Sequence, residues 1–282
     1  MGKAMALRFL IHPPVGNLSS EFRLNLEAVK KADRLGMDGF VLPDHYMTPQ
    51  GNETLEAWIA LAYFAAATEH TMLGTLVTPV PLRPPQLLAK VVSTVDVLSG
   101  GRTFLGVGAG WSRSEFEAYS QWDEPKVRVE KVDEGVALIK KLWTEQTVDF
   151  EGKHYKARGA VLLPKPVQKP HPPIMFGGRG PRMLDLAGKY ADICFISAEE
   201  PKEVLAVKDR VARAARGHRR PSAPPFAWYV GLKSLSEKDE YSSRIGQASS
   251  LGMSYVVTGV EREADYLDFL EYLARDVVPS FR

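Results

Sequence analysis

Cysteine is almost missing from this chain: Cys194 stands alone in 282 residues. One thiol cannot build an intramolecular disulfide framework, and its setting in the apolar run Asp192-Ile193-Cys194-Phe195-Ile196 is that of an inert buried thiol. Closely spaced Cys/His clusters are also missing, which argues against a structural zinc site. Neither sign of charge is in excess. The 36 Lys and Arg against 34 Asp and Glu leave a formal charge of +2, which gives no reason to expect a nucleic-acid or membrane partner. The N-terminal apolar run is too short for a signal peptide or a membrane span, so the expected location is the cytoplasm. No repeat, low-complexity tract or composition break divides the chain, and one domain over residues 1–282 is expected.

What is present is an alternation. Short runs rich in β-branched and aromatic residues are each followed by an amphipathic stretch. The expected strands are Ala6–His12, Gly39–Leu42, Met72–Thr78, Arg102–Val107, Pro173–Phe176, Ile193–Ser197, Phe226–Gly231 and Ser254–Thr258. The expected helices are Phe22–Leu35, Leu55–Thr68, Gln86–Leu98, Val127–Trp143, Arg182–Tyr190, Lys202–Arg216, Lys238–Leu251 and Ala264–Val277. Eight strand–helix units close a parallel sheet into a (β/α)8 TIM barrel, which takes roughly 250 residues. An open doubly wound sheet is the alternative. The proline-rich segment at about 144–173, with a hairpin in DFEGKHYKA, is expected as an insertion over the C-terminal mouth of the barrel.

Barrel chemistry sits at the C-terminal ends of the strands. After strand two comes Pro43-Asp44-His45, a carboxylate beside an imidazole that can move a proton near neutral pH. Neighbouring residues on a strand point to opposite sides, so Asp44 and His45 need not bond each other. Strand four runs into Gly106-Val107-Gly108-Ala109-Gly110-Trp111. The spacing is G-x-G-x-G, not the G-x-G-x-x-G of a dinucleotide fingerprint. Missing side chains there either let a flat ligand approach the backbone or relieve crowding inside the barrel. After strand five, Gly177-Gly178-Arg179-Gly180-Pro181 leads into a helix, where exposed N–H groups, the helix dipole and Arg179 suit a phosphate. After strand three, four prolines in Pro79–Pro85 stiffen the loop.

These stretches carry a resemblance. GRTFLGVGAGWSRSEFEAYS, LGTLVTPV…LLAKVVSTVDVLSGGR, FEGKHY and PKPVQKPHPPIMFGG occur in the order found in the luciferase-like monooxygenase superfamily of flavin and deazaflavin enzymes. The likeness runs over roughly Gly36–Ile196, and from about Pro201 it rests on strand–helix alternation alone. It implies a TIM barrel holding a flavin-type ring at its C-terminal mouth. It further implies His45 at the reactive face with Asp44 beside it as the catalytic pair. The implied cofactor-binding residues are Leu76, Val77, Thr78, Gly108, Ser114, Glu115, Gly177, Gly178, Arg179 and Ser197, with a non-prolyl cis peptide near Leu76-Val77 and no metal. The form GVGAGW…EFEAY leans toward the branch that uses coenzyme F420, with FMN as the alternative cofactor. Many relatives have Asn-Glu-Glu where this chain has Ser112-Arg113-Ser114, a departure in the loop after strand four.

The expected function is therefore an F420-dependent oxidoreductase acting on a small-molecule substrate. The alternatives are an FMN-dependent monooxygenase and a non-redox binding protein on a degenerate barrel. The resemblance also implies a possible homodimer through the helices near strands two and three, where Trp58–Phe64 offer apolar surface, with packing of that cluster inside the monomer the simpler account.

Overall fold

The computed structural model describes residues 6–13, 22–48 and 54–282, so Met1–Met5 of the N-terminal run lie outside it. Its strands are β1 (Arg8–Ile11), β2 (Gly39–Leu42), β3 (Met72–Thr75), β4 (Thr78–Pro79), β5 (Thr103–Gly108), β6 (Val148–Glu151), β7 (Lys156–Ala160), β8 (Ile174–Gly177), β9 (Ile193–Ile196), β10 (Phe226–Tyr229) and β11 (Tyr255–Thr258). Its α-helices are α1 (Phe22–Arg34), α2 (Ala57–Ala66), α3 (Pro85–Leu98), α4 (Arg113–Tyr119), α5 (Pro125–Thr144), α6 (Pro181–Tyr190), α7 (Pro201–Gly217), α8 (Lys238–Ser250) and α9 (Tyr266–Tyr272).

The main sheet runs β3-β2-β1-β11-β10-β9-β8-β5-β4 and closes through a further β3–β5 pairing. β3 and β4 are two halves of one stave, so the closed parallel barrel has eight. Strand alternation divides the apolar residues between two cores. Leu10, Val41, Phe104, Met175, Ile193, Ala227 and Val257 point inward and fill the barrel. Phe9, Ile11, Phe40, Leu42, Leu105 and Ile174 point outward and pack under the helices. The filled interior is the floor on which the mouth stands.

The third stave is broken. Gly74 pairs with Phe104 and Thr78 with Val107, so four steps on one strand oppose three on the other. That extra residue is a bulge, and it contains the cis peptide bond Leu76-Val77. At the bulge the Thr75 carbonyl presses on β5: a β-carbon on Gly106 would lie 1.8 Å from that oxygen. The Thr75 hydroxyl donates to the Gly106 carbonyl at 3.1 Å. Glycine at 106 therefore serves barrel closure, the crowding-relief reading of this residue.

The insertion departs from expectation. β6 and β7 form the antiparallel hairpin, but no residue of 144–173 is among those lining the mouth cavity. The segment is fastened along the outside of α3 and α5. Glu134 accepts the backbone N–H groups of Lys153, His154 and Tyr155. Gln86 donates to the Lys156 carbonyl and Ser93 to that of Pro164. Gln168 reaches Asp96 and the Thr103 carbonyl at the start of β5. Polar partners on the two helices decide its course, and Val148 and Leu162 are buried along the way. Two helical features also differ: α4 was unforeseen, and the expected Ala264–Val277 helix continues from α9 as a π-helical turn, Leu273–Val277. Cys194 is buried, and burial pushes its thiol up to about 12. No described helix is long and apolar enough to cross a membrane.

Gly106→Ala tests the closure. A backbone carbonyl cannot swing aside as a side chain can, so overpacking here is expected to cost about 3 kcal/mol or more. A urea unfolding midpoint equal to that of the parent would contradict the closure argument.

Candidate active site

At the C-terminal ends of β2, β4, β5, β8 and β9 lies a cavity of about 740 Å³, within the range of small-molecule sites. Its walls include Asp44, His45, Leu76, Val77, Gly108, Glu115, Gly177, Gly178, Arg179 and Ser197. The fold thus gathers ten of the twelve residues singled out from the sequence. Thr78 lies one layer beneath, buried, donating to Asp44 at 2.7 Å and accepting from the Trp58 indole at 3.2 Å. Ser114 is exposed on α4, outside the lining, with its hydroxyl 3.4 Å from that of Ser112.

His45 and Glu115 are 70 residues apart in sequence and 3.0 Å apart in space, Nδ1 to Oε2. The carboxylate is buried, and its other oxygen accepts the backbone N–H of Tyr46 at 2.6 Å and of Met47 at 3.4 Å. Burial alone would raise the Glu115 pKa. The hydrogen bonds from His45 and the Tyr46 and Met47 backbone, with the histidine charge, outweigh it and hold the carboxyl below its ordinary value. An ionised carboxylate only accepts, so His45 carries its proton on Nδ1. Nε2, with no protein partner among the described residues, is left for the cavity. Trp111 stands edge-on to the imidazole at 5.7 Å and is largely exposed at the rim.

Asp44 does not bond His45. Its two oxygens take the Arg83 fork, Nε at 3.0 Å and Nη2 at 2.6 Å, together with the Thr78 hydroxyl. Burial disfavours the Arg83 cation, but the charge and hydrogen bonds of Asp44, with Glu56, raise its pKa further than burial lowers it. Asp44 is thus an anchoring carboxylate, held by the Arg83 fork and the Thr78 hydroxyl. Arg83 was missed in the sequence; a single cation among four prolines was the available signal.

The opposite wall is made of backbone. Val77 is wedged against β5 and β8, where β-carbons on Gly108 and Gly177 would lie 2.6 and 2.9 Å from its methyls. Gly178 has φ +149°, a conformation open to glycine. It leads through Arg179 and Gly180 into α6, whose N-terminus has Pro181 in the first turn and no side-chain cap. Arg179 Nε donates to Ser197 at 3.1 Å. Uncapped N–H groups, a helix dipole and a guanidinium suit a phosphate, and Val77 seated on Gly108 and Gly177 gives an apolar face against which a flat ring can lie. These residues fit a phosphate-bearing tricyclic cofactor.

A second cavity of about 650 Å³ shares Arg179, Phe195 and Ser197 with the first and continues past Tyr229, Arg244 and Glu261. His12, a candidate pocket residue, lines a smaller one of about 400 Å³ with Tyr229 and Gly259. Its Nδ1 donates to the Pro13 carbonyl at 2.7 Å, and burial lowers its pKa. No group of three or more His, Cys, Asp or Glu among the described residues could hold a metal ion.

Fold and site together define a TIM barrel whose C-terminal mouth sets a carboxylate-paired histidine across a cavity from a glycine-rich wall and a helix N-terminus. The chain belongs to the luciferase-like monooxygenase family, whose model matches residues 5–259. It is 29% identical over 198 residues to an FMNH(2)-dependent dimethylsulfone monooxygenase of Pseudomonas putida, covering 69% of this chain and 54% of that protein. It is 31% identical over 194 residues to an F420-dependent glucose-6-phosphate dehydrogenase of Microbacterium testaceum (strain StLB037), covering 66% and 57%. The chain thus matches a little over half the length of each of these relatives. Among solved structures, it superposes on an F420-dependent secondary alcohol dehydrogenase in complex with an F420-acetone adduct. The TM-score is 0.86 at 20% identity, over 99% of this chain and 100% of that one. The coenzyme F420-dependent tetrahydromethanopterin reductase of Methanopyrus kandleri gives a TM-score of 0.82 at 18% identity, over 99% and 100%.

The depressed Glu115 pKa has a consequence for acid stability. A carboxyl whose folded pKa lies below its unfolded value stabilises the fold above the unfolded pKa. That contribution disappears as pH falls through the folded pKa. Glu115→Gln, which has no such charge, is expected to flatten this part of the stability curve below about pH 4.3, the ordinary glutamate value. Urea midpoints from pH 7 down to 3 check it; parallel curves for parent and variant would refute the assignment.

Proposed function

We propose that the chain is an F420-dependent oxidoreductase that transfers hydride between the deazaflavin and a small organic substrate bound at the barrel mouth. The observation that carries this reading is the pairing of two walls around one cavity. One holds His45 with Nδ1 fixed by Glu115; the other is glycine backbone leading to an uncapped helix N-terminus. In this reading Gly177, Gly178 and Arg179 hold the phosphate, with Ser197 orienting Arg179. Leu76, Val77 and Gly108 back the ring. Bound F420 supplies a ring carbon that gives or takes hydride. His45 Nε2 donates a proton to the substrate heteroatom bonded to the carbon that gains the hydride, and in the reverse direction accepts the proton from that heteroatom as the carbon loses it. Glu115 holds the ring orientation through Nδ1 and stabilises the imidazolium. Asp44 acts by anchoring the turn. The adjoining 650 Å³ cavity offers the substrate its space.

A second reading, an FMN-dependent monooxygenase, draws on the Pseudomonas putida relative, and the same phosphate wall serves it. The F420 reading is favoured by the strand-four form GVGAGW…EFEAY. We further propose a homodimer through α2 and α3, where Ile59, Tyr63 and Leu87 are exposed, in a cytoplasmic protein.

Titration of the purified protein with F420 and with FMN, followed by fluorescence, separates the two cofactors. Saturable F420 binding at least tenfold tighter than FMN is expected, and the reverse order would overturn the first reading. With a working substrate, His45→Ala is expected to lower kcat by about 10²–10⁴-fold, the range for general acid–base groups. Undiminished turnover would remove His45 from proton transfer.

A further inference from the structure

We propose that Arg83, which does not line the cavity, is the positioning residue for His45. The proposal rests on the proton role of His45 argued above. Arg83 follows the short 3-10 turn Val80–Leu82 and is mostly buried, its side chain 13% exposed. Its fork holds both oxygens of Asp44, and Nη2 also lies 2.6 Å from Glu56. Its Cζ stands 4.9 Å from the centroid of the Tyr46 ring. Asp44 and Tyr46 are the residues on either side of His45. One guanidinium therefore grips the turn before the histidine by charge and after it by cation–π contact.

The grip continues into the dyad. With its ring under Arg83, Tyr46 presents its backbone N–H to one oxygen of Glu115 at 2.6 Å. The other oxygen of that carboxylate takes His45 Nδ1 at 3.0 Å. Arg83 thus fixes the backbone that carries the imidazole and the same backbone that aligns its partner. The charged and titratable groups around His45 are Glu115 from α4, Asp44 and Tyr46 from its own loop, Arg83 from the loop after β4, and Glu56 at the start of α2. The Trp111 ring faces it from the rim. A lysine would supply the charge without the planar fork or the stacked face, so the two are not equivalent here.

Glu56 gives the needed contrast. It touches Arg83 but also caps α2, accepting the Ile59 N–H at 2.7 Å. A role for Arg83 limited to holding α2 would act through Glu56 and leave the histidine undisturbed.

The test reads the histidine itself, without cofactor or substrate. The His45 Nδ1–H resonance is assigned in the intact protein by its disappearance in His45→Gln, and its exchange with water is measured. Arg83→Met is expected to speed that exchange at least tenfold or abolish the signal while a cooperative melt is kept. Arg83→Lys is expected to fall between parent and Met, and Glu56→Gln to match the parent. An unchanged resonance and exchange rate in Arg83→Met overturns the proposal; should that variant fail to fold, the same result in Arg83→Lys does so. A Glu56→Gln effect as large as that of Arg83→Met overturns it too, because the action would then run through α2. In the loaded enzyme, Arg83→Lys is expected to lower kcat about tenfold with cofactor affinity unchanged. His45→Ala turnover decides the proton role separately, so failure of either idea is seen without the other.

Discussion

The contact between the Thr75 carbonyl and the bare α-carbon of Gly106 decides the shape of this mouth. It permits a bulge where a regular stave would run on, and the bulge displaces the chain by one residue against β5. Val77 is thereby turned into the cavity and lodged between Gly108 and Gly177. Thr78, one step on, turns the other way and reaches Asp44 beneath the floor of the site. The same irregularity therefore supplies one wall of the cavity and the anchor for the residue before His45. A side chain at position 106 would oppose both.

Two buried carboxylates stand on either side of the histidine and are handled differently. Asp44 is matched by a guanidinium in a fork, an arrangement in which neither charge is left without a partner in a medium of low dielectric. Glu115 is matched by the His45 imidazole and by the backbone N–H groups of Tyr46 and Met47. The site thus separates an ion pair that holds geometry beneath the turn from an imidazole–carboxylate pair that borders the cavity. That division explains how adjacent residues with similar promise in the sequence come to have different partners.

Much of this was legible before any coordinates. Hydrophobic alternation and the count of strand–helix units led to the barrel because each unit buries its own two faces, a local requirement written in local sequence. The strand-end rule led to His45, Gly108, Gly177 and Arg179 for the same reason. What escaped were partnerships across long separations. Glu115 was expected as a cofactor contact, and its bond to His45 depends on α4, whose short run Arg113–Tyr119 carries little periodic signal. Arg83 was hidden because prolines announce rigidity and say nothing of where a neighbouring cation will reach. The insertion was misplaced because composition shows that a segment leaves the barrel pattern but not which helices hold its polar groups. Glu134, Gln86 and Ser93 settle that only once α3 and α5 are folded.

The outer course of that insertion has an architectural effect. With residues 144–173 fastened along α3 and α5, the described loops that line the two cavities at the mouth include those after β5, β9, β10 and β11. The half of the rim around β4, β5 and β8 is tied down by the bulge and the glycine backbone. The half around β9 to β11 is furnished with side chains such as Tyr229, Arg244 and Glu261, which bear none of that closure. Substitutions on this second arc can reshape that side of the mouth while the first arc keeps its form. The barrel is in this sense a socket with one fixed jaw and one exchangeable jaw.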